Sequence, residues 1–216
     1  MRALRWLTEA AIALSIYIAI GSSTAQAHPH VWIDLRSTVV LDDAGRITAI
    51  EQQWLFDPLY TVFATDELTT KTSKPAEALR ALAAQNLREL HSYDYFTVVR
   101  VGNAKATFGK VSEFSSELRQ GRLWMHFVVP LATPIDPTSQ RVEFAVYDPS
   151  YYIEILHLQD DAIAFRGGRS GDCHGHVVPP NPSTEAVYLA AAMDRGATPD
   201  ITLGKLFAER VEITCR

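Results

Sequence analysis

The chain has 216 residues, 47% of them hydrophobic, and carries 20 basic and 25 acidic side chains for a net charge of −5. This balance lacks the dense positive charge of a nucleic-acid-binding protein. The length suits one domain with a substantial core.

Residues 1–27 are predicted to be a cleaved secretory leader. Two arginines precede an apolar run over residues 10–20, and Ala25-Gln26-Ala27 supplies the small residues that signal peptidase requires. The run is short for a membrane-spanning helix, which needs about 20 apolar residues, so an uncleaved anchor is the less favoured alternative. The mature chain would be one periplasmic domain over residues 28–216. Its charge would be about −6, because the leader holds two arginines and one glutamate.

A β-hairpin is predicted over residues 30–56. Apolar and polar side chains alternate over residues 31–36, which is the period of a half-buried strand. Gly45 in LDDAGR suits the left-handed position of a turn, and ITAIEQQWLF then returns as the second strand.

Two helices are predicted next. Asp57 before Pro58 has the pattern of an N-cap with proline in the first turn, and Leu59, Val62 and Phe63 follow at helical spacing. SKPAEALRALAAQNLREL predicts a second helix, with its leucines forming one apolar stripe.

The remainder of the chain is rich in short predicted strands. Hairpins are centred on Gly102-Asn103 and Gln120-Gly121, and RVEFAVYDP, YYIEILHL, DAIAFRG and CHGHVV predict further strands. PSTEAVYLAAAMD predicts a helix, and a last strand carries Cys215. Strands grouped apart from helices predict an α+β fold. We expect a single domain with a mainly antiparallel, sandwich-like β-sheet and two to four helices packed on it.

The predicted cleavage makes His28 a candidate metal ligand. Its free α-amine and its imidazole can bind one ion together, and His30 lies on the same side of an extended chain. Pro29 excludes the square-planar site that uses deprotonated backbone amides, because proline has no amide proton. An amine with imidazoles suits nickel, cobalt, copper or zinc. The alternative is that these residues simply begin a strand.

A second histidine pair occurs in GDCHGHVV. His174 and His176 have strand spacing and are candidate partners for His28 and His30 in a site of three or four nitrogen ligands. Cys173 is predicted to form a disulfide with Cys215, as two cysteines of an exported chain usually do. A thiolate ligand at Cys173 is the alternative, and a polar loop beside a disulfide is the alternative for the histidines.

The other histidines and the aspartates have structural interpretations. His126 and His157 lie in predicted strands and are expected to be sheet histidines, while Asp57 is expected to be a cap and Asp148 to form a turn. The sequence contains no G-x-S-x-G, phosphate loop, H-E-x-x-H or C-x-x-C motif. We therefore expect no catalytic residues, no enzymatic activity and no small organic cofactor.

Four stretches resemble the domain of unknown function 1007 family of periplasmic proteins: AHPHVWID, QQWLFDPLYT, YDPSYYIEI and LGKLFAERVEITC. The resemblance spans nearly the whole mature chain, in this order. It implies a periplasmic component of an ABC-type transport system, associated with inner-membrane transporters of the nickel/cobalt type. It supplies no catalytic residues.

These observations support one main hypothesis and two alternatives. The main hypothesis is a periplasmic accessory protein of a transition-metal transport system, which binds nickel, cobalt, copper or zinc through its N-terminal histidines. The first alternative is a metal-free interaction module that docks on the membrane transporter. The second is a copper oxidase with an N-terminal histidine ligand.

Overall fold

The computed structural model describes residues 29–70, 73–158, 162–193 and 202–216. Two β-sheets pack face to face, with three α-helices among the described residues. The strands are β1 (Val31–Leu41), β2 (Ile47–Phe56), β3 (Thr97–Val101), β4 (Ala104–Lys105), β5 (Phe114–Arg119), β6 (Arg122–Ile135), β7 (Val142–Val146), β8 (Ile153–His157), β9 (Ile163–Gly167), β10 (Cys173–Val178) and β11 (Arg210–Cys215). The predicted α+β, sandwich-like fold is confirmed.

The first sheet has the strand order β5-β6-β2-β1-β8, with β9 also on β1. The predicted hairpins form β1–β2 and β5–β6. In contrast, β8 and β9 run parallel to β1: Val31 pairs with Ile153, and Ser37 pairs with Ile163. The two short strands thus form one interrupted edge beside a strand that is about 120 residues distant in sequence.

The second sheet has the order β10-β11-β7-β3-β4 and is antiparallel throughout. Cys173 and Cys215 face each other across β10 and β11 and form the predicted disulfide. The bridge joins residues 42 positions apart, and it is consistent with an oxidising compartment such as the periplasm.

The core lies between the sheets and consists mainly of aliphatic and aromatic side chains from both of them. Trp54, Phe127 and Phe144 are the largest fully buried side chains. One polar connection crosses this core: Gln52 Nε2 donates to Thr97 Oγ1 at 2.7 Å, and Trp54 Nε1 donates to Gln52 Oε1 at 2.8 Å. These bonds satisfy groups whose burial without a partner would cost free energy.

The helices are α1 (Pro58–Thr70), α2 (Pro75–Leu90) and α3 (Thr184–Ala192). Their predicted positions are confirmed within a few residues. α2 has the expected amphipathic pattern, because Leu79, Ala83 and Leu87 are buried against the sheet. Among the described residues, no helix has the length and apolar character needed to cross a membrane.

A short 3₁₀ segment (His91–Phe96) connects α2 to β3 and contains an unusual turn. Asp94, Tyr95 and Phe96 all have left-handed φ values between 53° and 58°. Each such residue costs about 1–2 kcal/mol. Burial of Tyr95 and Phe96 offsets this cost, as does the bond that the Tyr95 hydroxyl accepts from the Val111 N–H at 3.0 Å. The turn directs Phe96 into the core and leaves Tyr93 exposed.

The sandwich has two chemically different ends. We call one the Asp-Pro end, because it contains Asp57-Pro58 after β2 and Asp148-Pro149 after β7. We call the other the disulfide end, because it contains the Cys173–Cys215 bridge and the turn at Gly45. β1 begins at the Asp-Pro end and finishes at the disulfide end.

Candidate functional site

The histidines predicted to bind metal do not form one cluster in the described chain. His28 lies outside the described residues. His30 sits at the Asp-Pro end, where its N–H donates to Tyr152 O at 2.9 Å and its ring lies 4.7 Å from the Tyr152 ring. Within residues 29–70, 73–158, 162–193 and 202–216, no group of three or more His, Cys, Asp or Glu side chains is arranged to hold a metal ion.

His174 and His176 lie on β10, towards the disulfide end. Gly175 between them approaches Ile163 so closely that an added Cβ would lie 2.5 Å from its Cγ2 atom. Ile163 pairs with Ser37, seven residues along β1 from His30, which corresponds to roughly 23 Å of strand. The structure therefore does not bring this pair to His30, and the metal-binding role of the four histidines stays a prediction.

Both β10 histidines are nevertheless exposed on the outer face of the strand. His176 lies opposite Glu212 on β11. That carboxylate already contacts Arg141 and Arg210, and the hydrogen bond from Arg210 is the main cause of its lowered pKa. The two imidazoles are thus the accessible donors on this face, whereas Glu212 is engaged with arginines.

Cys173 is part of the disulfide, so the alternative of a thiolate ligand at this position does not apply to the oxidised protein.

His126 is a sheet histidine with a defined partner. Its Nε2 atom lies 2.9 Å from Glu51 Oε1, and Arg166 donates to the other Glu51 oxygen at 2.7 Å. Burial alone would raise the pKa of Glu51, but the hydrogen bonds from Arg166 and His126 outweigh it and lower that pKa. The group is an ion-paired connection between β2, β6 and β9.

His157 forms a chain with Ser37 and Glu209. Glu209 Oε2 lies 2.8 Å from His157 Nδ1 and accepts the His157 backbone N–H at 2.7 Å, while Ser37 Oγ lies 3.0 Å from Nε2. An ionised carboxylate only accepts hydrogen bonds, so Nδ1 carries the proton and, in the neutral ring, Ser37 donates to Nε2.

This serine–histidine–glutamate chain has the composition of a hydrolase triad but the opposite orientation. Ser37 is 1% exposed and faces the core, whereas Glu209, at the other end of this hydrogen-bonded series, lies nearer the surface. A nucleophilic serine must meet its substrate, and this one does not reach solvent. We therefore interpret the chain as a connection between β1, β8 and the segment before β11. Sequence patterns gave no sign of it, because the three residues lie far apart in the chain.

The two Asp-Pro turns hold the beginning of β1 in place. Asp57 accepts the N–H of Tyr60 at 2.9 Å, as the predicted cap, and also the N–H of Trp32 at 3.1 Å. Asp148 accepts the N–H of Ile153 at 3.0 Å, at the start of β8. Both carboxylates are buried, so each replaces lost water contacts with backbone donors.

Helix α1 buries its polar face and exposes its apolar one. Thr61 is 3% exposed; its hydroxyl donates to Asp57 O at 2.7 Å and accepts the Leu123 N–H at 3.0 Å. On the other side, Leu59 is 76% exposed and Phe63 is 86% exposed. The helical spacing was predicted correctly, but these apolar side chains do not pack on the sheet.

Helix α3 has a similar arrangement. Its buried residues are Ala186 and Ala190, and it packs beside Tyr151 and Leu203 in a small second apolar cluster. Its larger apolar residues are exposed: Val187, Tyr188 and Leu189. Three consecutive residues span most of a helix circumference, so one buried face cannot include all of them.

The exposed large apolar residues of the described chain all lie on segments attached at the Asp-Pro end. We call them the apolar end surface, which comprises Trp32, Leu59, Val62, Phe63, Tyr93, Leu118, Tyr152, Val187, Tyr188, Leu189 and Leu206. Exposed apolar side chains gathered at one end of a domain mark a candidate interaction region. Sequence analysis missed this surface; the Val187–Leu189 run was the signal that could have indicated part of it.

Comparison with known proteins identifies the family. The family model described as "Protein of unknown function (DUF1007)" matches residues 13–215, so the chain belongs to this family. An uncharacterized protein of Haemophilus influenzae is 24% identical over 204 residues, covering 94% of this chain and 96% of that protein.

A shorter similarity involves an uncharacterized 15.5 kDa protein encoded in the trpE 3' region of Spirochaeta aurantia. It is 27% identical over 77 residues, covering 36% of this chain and 54% of that protein. No solved structure matches the chain.

Proposed function

We propose that this DUF1007 member is a periplasmic docking module that binds an inner-membrane transport protein through its apolar end surface. The inverted polarity of α1 carries the proposal. Exposing leucine and phenylalanine adds nothing to the stability of the isolated fold, since exposed apolar area gains nothing from the hydrophobic effect. The same residues would be buried in a complex.

The charge of the surface helices favours a protein partner over a lipid surface. Helices that bind anionic membranes are rich in lysine and arginine. The α1 sequence contains Asp66 and Glu67 and no basic residue, and the α3 sequence contains Glu185 and no basic residue. The mature chain is also acidic, at about −6. An apolar helix face with i, i+3 and i+4 contacts instead suits a hydrophobic groove on a protein.

The course of the chain supports a partner at the membrane. The predicted leader precedes His28, and β1 begins at the Asp-Pro end, beside the apolar end surface. During export this end would leave the membrane first. The resemblance to family members that accompany nickel/cobalt-type transporters suggests the transporter as partner.

Site-specific photo-crosslinking in cells tests this proposal. A photoreactive phenylalanine analogue replaces Phe63 in cells that co-express an inner-membrane transporter of the nickel/cobalt type. Asn103, which is exposed near the disulfide end, is the matched control position. We expect a transporter adduct from position 63 and none from position 103. Adducts only with lipid, only with a second copy of this chain, or equal adducts from both positions would refute the proposal.

A second candidate function, metal handling, is favoured by the exposed His174–His176 pair. Two imidazoles on one strand face can bind a nickel, cobalt, copper or zinc ion, and His28 with His30 would provide another donor set. Calorimetric titration of the mature protein should give saturable binding. The double variant His174→Ala/His176→Ala should weaken one class of site, and one extra residue before His28 should weaken the other. Unchanged affinity in both variants would reject these ligands.

A further inference from the structure

An aromatic cavity lies at the Asp-Pro end, between α1, the end of α2 and the 3₁₀ segment. Its volume is about 250 Å³. The deeply buried Trp54, Phe56 and Phe96 line it, and Tyr60 and Tyr93 complete a set of five aromatic rings. The left-handed turn makes this arrangement possible, because it places Phe96 inside and leaves Tyr93 at the mouth.

The electrostatic character of the cavity is negative. Aromatic ring faces carry partial negative charge, and Glu89 supplies a carboxylate at the exposed rim. None of the residues described as lining the cavity is basic. Burial, together with the nearby carboxylates of Asp57 and Glu89, raises the pKa of Tyr60, which is consistent with a negative local potential.

Two properties of the cavity narrow the chemical class of its ligand. At about 250 Å³ it is smaller than most drug-sized ligand sites, which occupy roughly 300–1,000 Å³, so it suits a small molecule or a head group. The buried walls, Trp54, Phe56 and Phe96 with aliphatic neighbours, offer ring and alkyl surface, whereas the acceptors Asn86 and Glu89 lie on the more exposed side. An ammonium ion with N–H groups would leave donors unsatisfied against these walls. A quaternary ammonium group has no N–H donors, and it is attracted to ring faces within about 6 Å.

We propose that the cavity formed by Trp54, Phe56, Tyr60, Tyr93 and Phe96, with Glu89 at its rim, binds a small quaternary ammonium cation. The rings would surround the methyl groups, and Glu89 would attract the charge at the opening. The proposal adds a ligand class that the sequence did not indicate. Tyr93 is shared with the apolar end surface, but the measurements below use the isolated protein and do not require the docking partner.

The test compares how tightly the mature protein binds choline and its neutral isostere 3,3-dimethylbutan-1-ol. The comparison distinguishes recognition of the positive charge from filling of the cavity by any apolar group of that shape. Both ligands have the same shape, and only choline is charged. We expect choline to bind at least about tenfold more tightly, which corresponds to one good cation–π contact. The indole N–H signal of Trp54 in the NMR spectrum should shift with choline concentration. Equal affinity for both compounds, or no saturable binding, would overturn the proposal.

Variants at the rim test the assignment of residues without disturbing the core. Tyr93→Ala removes a ring and Glu89→Gln removes a negative charge, so each should weaken choline binding several-fold. Both side chains are exposed, so neither change should disturb folding. Asn103→Ala, at an exposed position outside both the cavity and the apolar end surface, is the control and should leave binding unchanged. Equal losses in all three variants, or a loss in none of them, would contradict the site.

The same cationic group occurs in free small molecules and in phosphatidylcholine. Cosedimentation with phosphatidylcholine vesicles, compared with choline binding in solution, distinguishes these sources. Choline binding without cosedimentation supports a site for free small cations, and choline binding together with cosedimentation supports a site that also accepts the lipid head group. Absence of choline binding overturns the proposal whatever the vesicles show.

Discussion

The two ends of the sandwich are held together by different kinds of contact. The disulfide end is closed by a covalent bridge and by short polar turns, in which Asp42 accepts the N–H groups of Ala44 and Arg46. The Asp-Pro end is held by buried carboxylates and carries the exposed apolar residues on α1 and α3. The first end is held mainly by covalent and polar contacts, whereas the second exposes apolar area that folding does not explain. The contrast is the reason why the proposed docking role is assigned to the Asp-Pro end.

Removing the disulfide should have the largest effect on stability. Replacing Cys173 and Cys215 by serine releases a loop whose ends are 42 positions apart, and the chain-entropy estimate is about 4 kcal/mol of unfolding free energy. Urea denaturation measures the loss, and the native protein in reductant should match the variant. If the double variant were as stable as the native chain, the assigned role of this end would be wrong.

Removing the Asp57 carboxylate should have the next largest effect. Asp57→Ala leaves the N–H groups of Tyr60 and Trp32 without their acceptor, and we expect a loss of about 2 kcal/mol. Asp57→Asn retains an acceptor oxygen and should recover part of it. Asp42→Ala is the matched change at the other end, and because its turn is exposed the loss should be smaller. Equal losses at the two ends would remove the distinction drawn between buried and exposed carboxylates.

Acid should loosen the disulfide end locally, without a large global effect. Hydrogen bonds from Arg46 hold the pKa of Asp42 below its ordinary value of 3.8, and bonds from Thr138 do the same for Asp136. A lowered folded-state pKa contributes stability that is present above the unfolded-state value and is lost as the pH falls through the folded-state value.

Amide exchange of Ala44 and Thr138, followed by NMR below pH 4, measures this loosening. Protection should decrease with falling pH in the native chain. In Asp42→Asn the pH dependence at Ala44 should disappear while that at Thr138 remains, and a parallel change at both amides would argue against local carboxylate control.

Polar substitutions on the apolar end surface should have the smallest effect on stability and a large effect on binding. Leu59→Ser and Phe63→Ser remove exposed side chains, so the unfolding free energy should change by no more than about 0.5 kcal/mol. Crosslinking to the transporter from a neighbouring position such as Val62 should be lost in the double variant. A destabilisation of several kcal/mol would mean that these residues belong to the core.

Local sequence patterns predicted the parts of the fold that depend on neighbours in the chain. The β1–β2 and β5–β6 hairpins, helix α2, the cap at Asp57 and the Cys173–Cys215 bridge follow from alternation, turn residues and cysteine number. Each of these elements is determined by residues close in sequence, except the disulfide, which is predicted because the sequence contains two cysteines.

The remaining features depend on which distant segments meet. The parallel attachment of β8 and β9 to β1, the Ser37–His157–Glu209 chain and the distance between His30 and His174 are consequences of tertiary pairing. The aromatic cavity depends on the left-handed turn at Asp94–Phe96, where no glycine marks the conformation. The inverted face of α1 was not predicted for a related reason: the buried Thr61 hydroxyl accepts the Leu123 N–H, a contact between segments distant in sequence.

The position of β1 inside the first sheet also has a consequence for the timing of folding. Synthesis from the N-terminus delivers β1 first, and β2 follows at once. The strands β8 and β9 that complete its other edge reach residue 167. Contacts between such distant segments form slowly, since a long loop must close first. The first sheet therefore cannot close until the chain has emerged as far as residue 167, and until then one edge of β1 stays open to pairing with other chains.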